Sequence, residues 1–170
     1  REFTGTKFFS YAIDVQNGTF DGNGTVIFSA RNAGQGKFVG ASDPISGEEG
    51  TLSAIYKYNG AAIYGGDYKE LTVSAGTSAN VGDPTKVNVN GVLTLEDGAS
   101  LTGSRYTVTT TDGEGNEVVR SGHGTLNVLG TTAGNGIVKM NSAGTIEYGS
   151  GVDAGSFFSG NYYNLVLHSQ

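Results

Sequence analysis

VNVNGVLTLEDGASLTG (Val87–Gly103) carries apolar pairs at Val87/Val89, Leu93/Leu95 and Ala99/Leu101, with Asn, Asp and Gly between them. Alternate residues of a strand share one face, so each pair marks a short strand with its apolar side inward. The pairs return about every six residues, as in a coil that bends at small corners. A flat hairpin would need a full chain reversal at each corner; a coil needs only a bend, which Asn, Asp or Gly supplies. The expected fold is therefore all-β: a right-handed parallel β-helix, or solenoid, with three short faces per turn. Short strands joined by Gly turns also describe an antiparallel β-sandwich, which stands as the alternative.

The rest of the chain agrees with a strand-rich reading. TVIFSA (Thr25–Ala30), KVNVNG (Lys86–Gly91), RYTVTTT (Arg105–Thr111), TLNVLG (Thr125–Gly130) and IVKM (Ile137–Met140) all alternate or are β-branched. Glycine recurs so often that a long helix is excluded, since each interior Gly costs about 1 kcal/mol relative to Ala. TTTDGEGNEVV (Thr109–Val119) reads as a protruding β-hairpin. Thr107, Val108 and Thr109 run up one arm, and Val118 and Val119 return on the other.

Two stretches share a plan. YNGAAIYGGDYKELTVSAG (Tyr58–Gly76) and YGSGVDAGSFFSGNYYNLVLHS (Tyr148–Ser169) each start at a Tyr and cross a Gly-rich turn. Each then reaches Gly-x-Tyr and ends in Leu-x-Val or Leu-x-Leu. GTLSAIYKY (Gly50–Tyr58) pairs with GTIEY (Gly144–Tyr148), and NGTFDGNGTVIFS (Asn17–Ser29) with HGTLNVLGTTAGNGIVKMN (His123–Asn141). Two degenerate copies result, the first interrupted around Ala33–Gly47. A unit that cannot bury its apolar side alone must stack on a neighbour, so copies are expected side by side. Residues 1–49 read as an N-terminal β cap or insertion-containing region, and 50–170 as the repeats of one continuous domain.

These motifs resemble the β-strand repeats of very large bacterial cell-surface and autotransporter-like adhesins. In that group a Gly-Thr-x-x-Tyr strand leads to Tyr-x-x-Leu-x-Leu, then to Val-x-Gly-x-Leu-x-Leu-x-x-Gly-Ala-x-Leu. The likeness covers Gly50–Gly103 and Gly122–Ser169; the first fifty residues depart from it. It implies an exported, stacked stalk or adhesive surface at the bacterial cell surface, whose partners are extracellular polysaccharide or a surface protein of a host or neighbouring cell. It also implies stacking on adjacent repeats of a parent protein. The opening Arg1-Glu2-Phe3, with no Met ahead of it, fits a segment excised from a longer chain.

Composition narrows the classes further. Of 170 residues 29 are Gly and only 36% are hydrophobic, so the expected core is thin and elongated. A formal charge of −6 with ten scattered Lys and Arg disfavours nucleic acid and anionic membranes as partners. No apolar run approaches the ~20 residues of a membrane helix. Cysteine is absent, which argues against a small disulfide-stapled eukaryotic domain.

Chemistry-bearing residues are sparse. A polysaccharide-active β-helix enzyme is an alternative, but the carboxylates mostly sit beside Gly or Ser, without the convergent pair glycoside hydrolysis needs, and a non-enzymatic role is expected. His123 and His168 lack metal-ligand spacing to each other; His123 reads as a turn residue and His168 as plain surface. No cofactor is expected. Calcium is the one metal with a suggestive loop, Asp112, Glu114 and Asn116, whose oxygens alternate along a hairpin tip. The remaining signal is aromatic. Tyr56, Tyr58, Tyr64 and Tyr68 cluster in one copy and Phe157, Tyr162 and Tyr163 in the other. Such rings either stack in a core or form a platform for sugar rings, as in a carbohydrate-binding module. Tyr162 and Tyr163 are adjacent and cannot share a strand face, so one of them is expected at the surface.

Overall fold

The computed structural model describes residues 24–29, 52–82 and 86–169, without the side chains of 106, 108 and 120, and the backbone of four strands earlier in the chain. The interruption expected around Ala33–Gly47 falls largely outside the described residues.

The chain is mostly strand. One sheet runs in the order β1 (Thr6–Phe9), β3 (Thr25–Phe28), β6 (Ser53–Tyr56), β8 (Gly66–Val73), β10 (Lys86–Leu95), β14 (Thr125–Val128), β17 (Thr145–Tyr148) and β19 (Asn164–Leu167). Two further strands join its flanks: β5 (Ile45–Ser46) beside β8, and β15 (Thr131–Ala133) beside β10. A second sheet is ordered β18 (Gly160–Asn161), β16 (Ile137–Lys139), β11 (Ser100–Gly103), β9 (Ser78–Val81) and β7 (Ala61–Ala62). A small pair joins β2 (Ile13–Asp14) to β4 (Phe38–Val39).

Every pairing in these sheets is parallel. The antiparallel sandwich is thereby overturned: successive passes of the chain lie side by side in the same direction. The one antiparallel pair among the described residues is the hairpin of β12 (Arg105–Thr111) and β13 (Glu117–His123), where the sequence places it.

The six-residue spacing has a direct structural meaning. Val87 and Val89 lie in the first half of β10, Leu93 and Leu95 in its second half, and Ala99 and Leu101 at β11; all six side chains are fully buried. From Val87 the chain passes Leu93 and Leu101, throws out the hairpin, and returns at Leu126 directly beside Val87. Without a hairpin the next return is shorter: Leu126 leads to Ile146 on the adjacent strand, and Ile146 to Leu165. Inward columns result. Tyr68, Val89, Val128 and Tyr148 form one, and Phe28, Tyr56, Val73 and Leu95 another. All eight are at most 1% exposed. Apolar burial of about 25 cal/mol per Å² makes such columns the main cohesive term.

The bend inside β10 explains one glycine. The register slips between Val89 and Val92, so Asn90 and Gly91 oppose Lys69 alone. A Cβ on Gly91 would collide with the Lys69 carbonyl oxygen, and one on Gly130 with that of Gly91. The corner is a stack of backbones in contact, which only a residue without a side chain allows.

Candidate functional site

The aromatic residues resolve into two interior clusters and one surface patch. In the first cluster Tyr56 ends β6 and Tyr68 lies in β8, both 0% exposed. Their hydroxyls meet at 3.1 Å. Tyr68 donates to the Tyr64 carbonyl at 2.8 Å, and the Tyr64 N–H donates to the Tyr56 hydroxyl at 3.1 Å. Each phenol has one proton. That of Tyr68 goes to the carbonyl, so Tyr56 donates to Tyr68. Two hydroxyls thus close a ring around the backbone of one loop residue, replacing the strand partners that a loop lacks.

The second cluster repeats this bond for bond. Tyr148 ends β17, and its hydroxyl lies 3.0 Å from that of Tyr162. Tyr162 donates to the Phe158 carbonyl at 2.5 Å, and the Phe158 N–H donates to Tyr148 at 3.3 Å. Gly66 and Gly160, each two residues ahead of the second Tyr, share the left-handed φ values of 126° and 131°. The strand after that Tyr then pairs with the strand that ended in the first Tyr: Ser53 opposite Glu70, and Thr145 opposite Asn164. The duplication read in the sequence is this device. The partner of Tyr148 is Tyr56, though, not Tyr58. The two copies also sit differently against β10: β8, partnered by β6, carries one in line with its second half, and β14 and β17 carry the other in line with its first.

Ring contacts complete both clusters. Phe28 stacks on Tyr56 at 4.8 Å between centroids and tilts against Tyr64 at 5.6 Å; Phe157 lies 4.4 Å from Tyr148. Burial pushes the phenols of Tyr56, Tyr148 and Tyr162 above the ordinary tyrosine value. Hydrogen bonds oppose the rise at Tyr56 and Tyr148, while the bond from Tyr148 adds to it at Tyr162. Burial raises half-buried Tyr58 as well.

The expected binding platform therefore changes membership. Tyr56 and Tyr68 are in the core and offer no surface to a ligand. Tyr58, Tyr64, Phe157 and Tyr162 are partly buried and packed against that core. Tyr163 alone of the seven is well exposed, at 42%, in keeping with the alternation argument. Its neighbours were not singled out from the sequence. The Arg105 Nη2 donates to its hydroxyl at 2.7 Å, with the guanidinium carbon 5.3 Å from the ring centroid. His123 meets the ring edge-on at 5.5 Å. The same imidazole, through Nε2, lies 3.1 Å from both Thr145 Oγ1 and Asn164 Nδ2. His123 closes β13 rather than forming a turn, so the root of the hairpin and the last pass of the chain are clamped together here. Arg105, His123, Tyr163 and Asn164 form a surface group of ring faces and hydrogen-bond donors, suited to hydroxyl-rich or anionic ligands.

At the hairpin tip Asp112 Oδ1 accepts the N–H groups of Glu114 and Asn116, at 2.9 and 2.8 Å, and Oδ2 accepts the Asn116 amide at 3.1 Å. These bonds, led by those from Asn116, hold the carboxyl below its ordinary value. Both oxygens serve the turn itself. Among the described residues no group of three or more His, Asp or Glu side chains is arranged to hold a metal.

His168 is exposed, as expected, with Nε2 2.5 Å from Glu147 Oε1. An open depression of about 510 Å³, lined by Thr132–Gly136 and Gly155–Ser159, lies beside Phe157. No helix among the described residues is long and apolar enough to cross a membrane. Comparison with protein-family models, curated proteins and solved structures finds no match to the chain.

Proposed function

We propose that the chain is a right-handed parallel β-helix forming a non-enzymatic segment of a bacterial surface protein, with an adhesive or structural role. The observation that carries this reading is the continuous parallel pairing from β8 through β10, β14 and β17 to β19, with one slip inside β10. A ladder of that kind holds outward side chains at the strand spacing of about 4.8 Å, and a rigid row of weak contacts gains by being multivalent. Its interior is spent on packing and on the two tyrosine rings. Function is therefore assigned to the exterior: at the surface of the cell, toward extracellular polysaccharide or a surface protein.

The Arg105–His123–Tyr163–Asn164 group favours a second, narrower reading, that of a carbohydrate-binding module, because an aromatic ring flanked by donors suits a sugar. Depletion binding to insoluble cellulose, chitin and peptidoglycan tests both. Saturable binding lost in Tyr163→Ala, with the fold retained by circular dichroism, supports the saccharide reading. Binding untouched by that variant removes the patch from the account. No binding to any of the three leaves the structural stalk or protein-directed adhesin.

A further inference from the structure

Outward on the main sheet, Asp67, Asn88, Asn127, Glu147 and Val166 occupy one column on five successive strands. The amides are chained. Asn88 Nδ2 donates to Asp67 Oδ1 at 2.6 Å, and Asn127 Nδ2 donates to Asn88 Oδ1 at 2.7 Å. A carboxylate can only accept, so Asp67 fixes the direction of the whole row: every N–H points toward it and every carbonyl points away. The far end of the row is Asn127 Oδ1. It is buried without a hydrogen-bond partner among the described residues, on a side chain only 6% exposed.

The next rung is Glu147, whose carboxylate is a second acceptor. Its Oε1 takes His168 Nε2 at 2.5 Å, and Oε2 has no hydrogen bond among the described residues. The polarised row thus ends with an unpartnered carbonyl oxygen on the rung next to a carboxylate, two acceptors in succession.

We propose that this end of the row binds a single hard divalent cation of the calcium class, held on its buried side by Asn127 Oδ1 and on its outer side by the partly exposed Glu147 carboxylate, where water completes its shell. Such ions prefer oxygen donors of mixed carboxylate and carbonyl type. The inference is independent of the function proposed above, since it rests on the amide row alone. It moves the metal from the hairpin tip, where the sequence suggested it, to the flat of the sheet.

Glu147→Gln separates this idea from its rivals, because glutamine supplies an N–H to the Asn127 carbonyl and completes the row without an ion. Thermal unfolding is followed in chelator and in about 10 mM calcium chloride. The wild-type midpoint should rise by about 3 °C with calcium. Glu147→Gln should already sit higher in chelator and should not respond; Asp153→Asn, an exposed acid elsewhere, should keep the full response. Magnesium and sodium arms show whether the response is specific to calcium or general to cations at a surface of charge −6. An equal response to sodium at matched ionic strength overturns the proposal. So does a wild-type midpoint that calcium leaves unmoved, or a calcium response that survives in Glu147→Gln.

Discussion

Replacing Tyr56 by Phe removes one oxygen atom and leaves the ring stacked on Phe28 in place. The oxygen carries two hydrogen bonds: it accepts the Tyr64 N–H at 3.1 Å and donates to Tyr68 at 3.1 Å. Each is worth about 0.5–1.5 kcal/mol net, and the abandoned Tyr64 N–H adds about 1 kcal/mol for losing its partner in a half-buried loop. The expected cost is about 2–4 kcal/mol, or a midpoint lowered by about 4–16 °C in a chain of this size. Tyr68→Phe removes the donor to the Tyr64 carbonyl and should cost a similar amount. Because the two oxygens share one ring, the double variant should cost about 1 kcal/mol less than the sum of the singles. Global unfolding of a chain built from successive parallel passes need not be two-state. Native-state hydrogen exchange at the Tyr64 amide is therefore the sharper assay: its protection should drop in Tyr56→Phe while that of Val89 is retained. A Tyr64 amide that exchanges at the wild-type rate in Tyr56→Phe would refute the ring, as would strict additivity of the two single variants.

The phenols of Tyr56, Tyr148 and Tyr162 set an alkaline limit. Their folded values lie above the unfolded one, so their contribution is complete below about pH 10 and is lost as pH climbs past it toward the folded values. Phenolate absorbance near 295 nm should therefore show an exposed fraction titrating normally and a remainder rising only with the loss of the circular-dichroism signal. Asp112 runs the opposite way. Its lowered value means the tip is ordered above the unfolded carboxylate value and loosens as pH falls through the folded one. Carbon-detected NMR should find its midpoint below the ordinary aspartate value, with the Glu114 and Asn116 amide shifts moving in step. Gly160→Ala sets a Cβ against the Val138 carbonyl oxygen at φ 131° and should cost about 2 kcal/mol or more. Gly155→Ala meets nothing within 4 Å and should leave the melting midpoint in place.

How much was legible in the sequence varies with the length scale of the cause. Val87–Leu101 announces its faces because inward and outward residues alternate within a few positions, and the hairpin at Asp112 is equally local. The tyrosine device was half legible. Gly-x-Tyr and Leu-x-Val were recognisable, but choosing Tyr56 over Tyr58 depends on where β6 stops, and Tyr58 lies past its end. Adjacency told that one of Tyr162 and Tyr163 is exposed but not which, and the neighbours of Tyr163, Arg105 and His123, reach it only because the hairpin root folds against the last pass. The amide row was hidden for a related reason. Asn88 and Asn127 are neighbours in space, yet the hairpin separates them in sequence and breaks the period that would have aligned Gly-Asp-Tyr, Val-Asn-Val and Leu-Asn-Val.

That hairpin leaves the body at Arg105 and rejoins it at His123, two residues that face each other across the first rung. The ladder behind it resumes as though nothing had intervened, Leu126 falling beside Val87. Entry and exit are thus a fixed gate, and what passes through the gate is free to change in length without being felt in the stack. A graft of foreign sequence at Gly113–Gly115 would be carried outward on a ready-made stem.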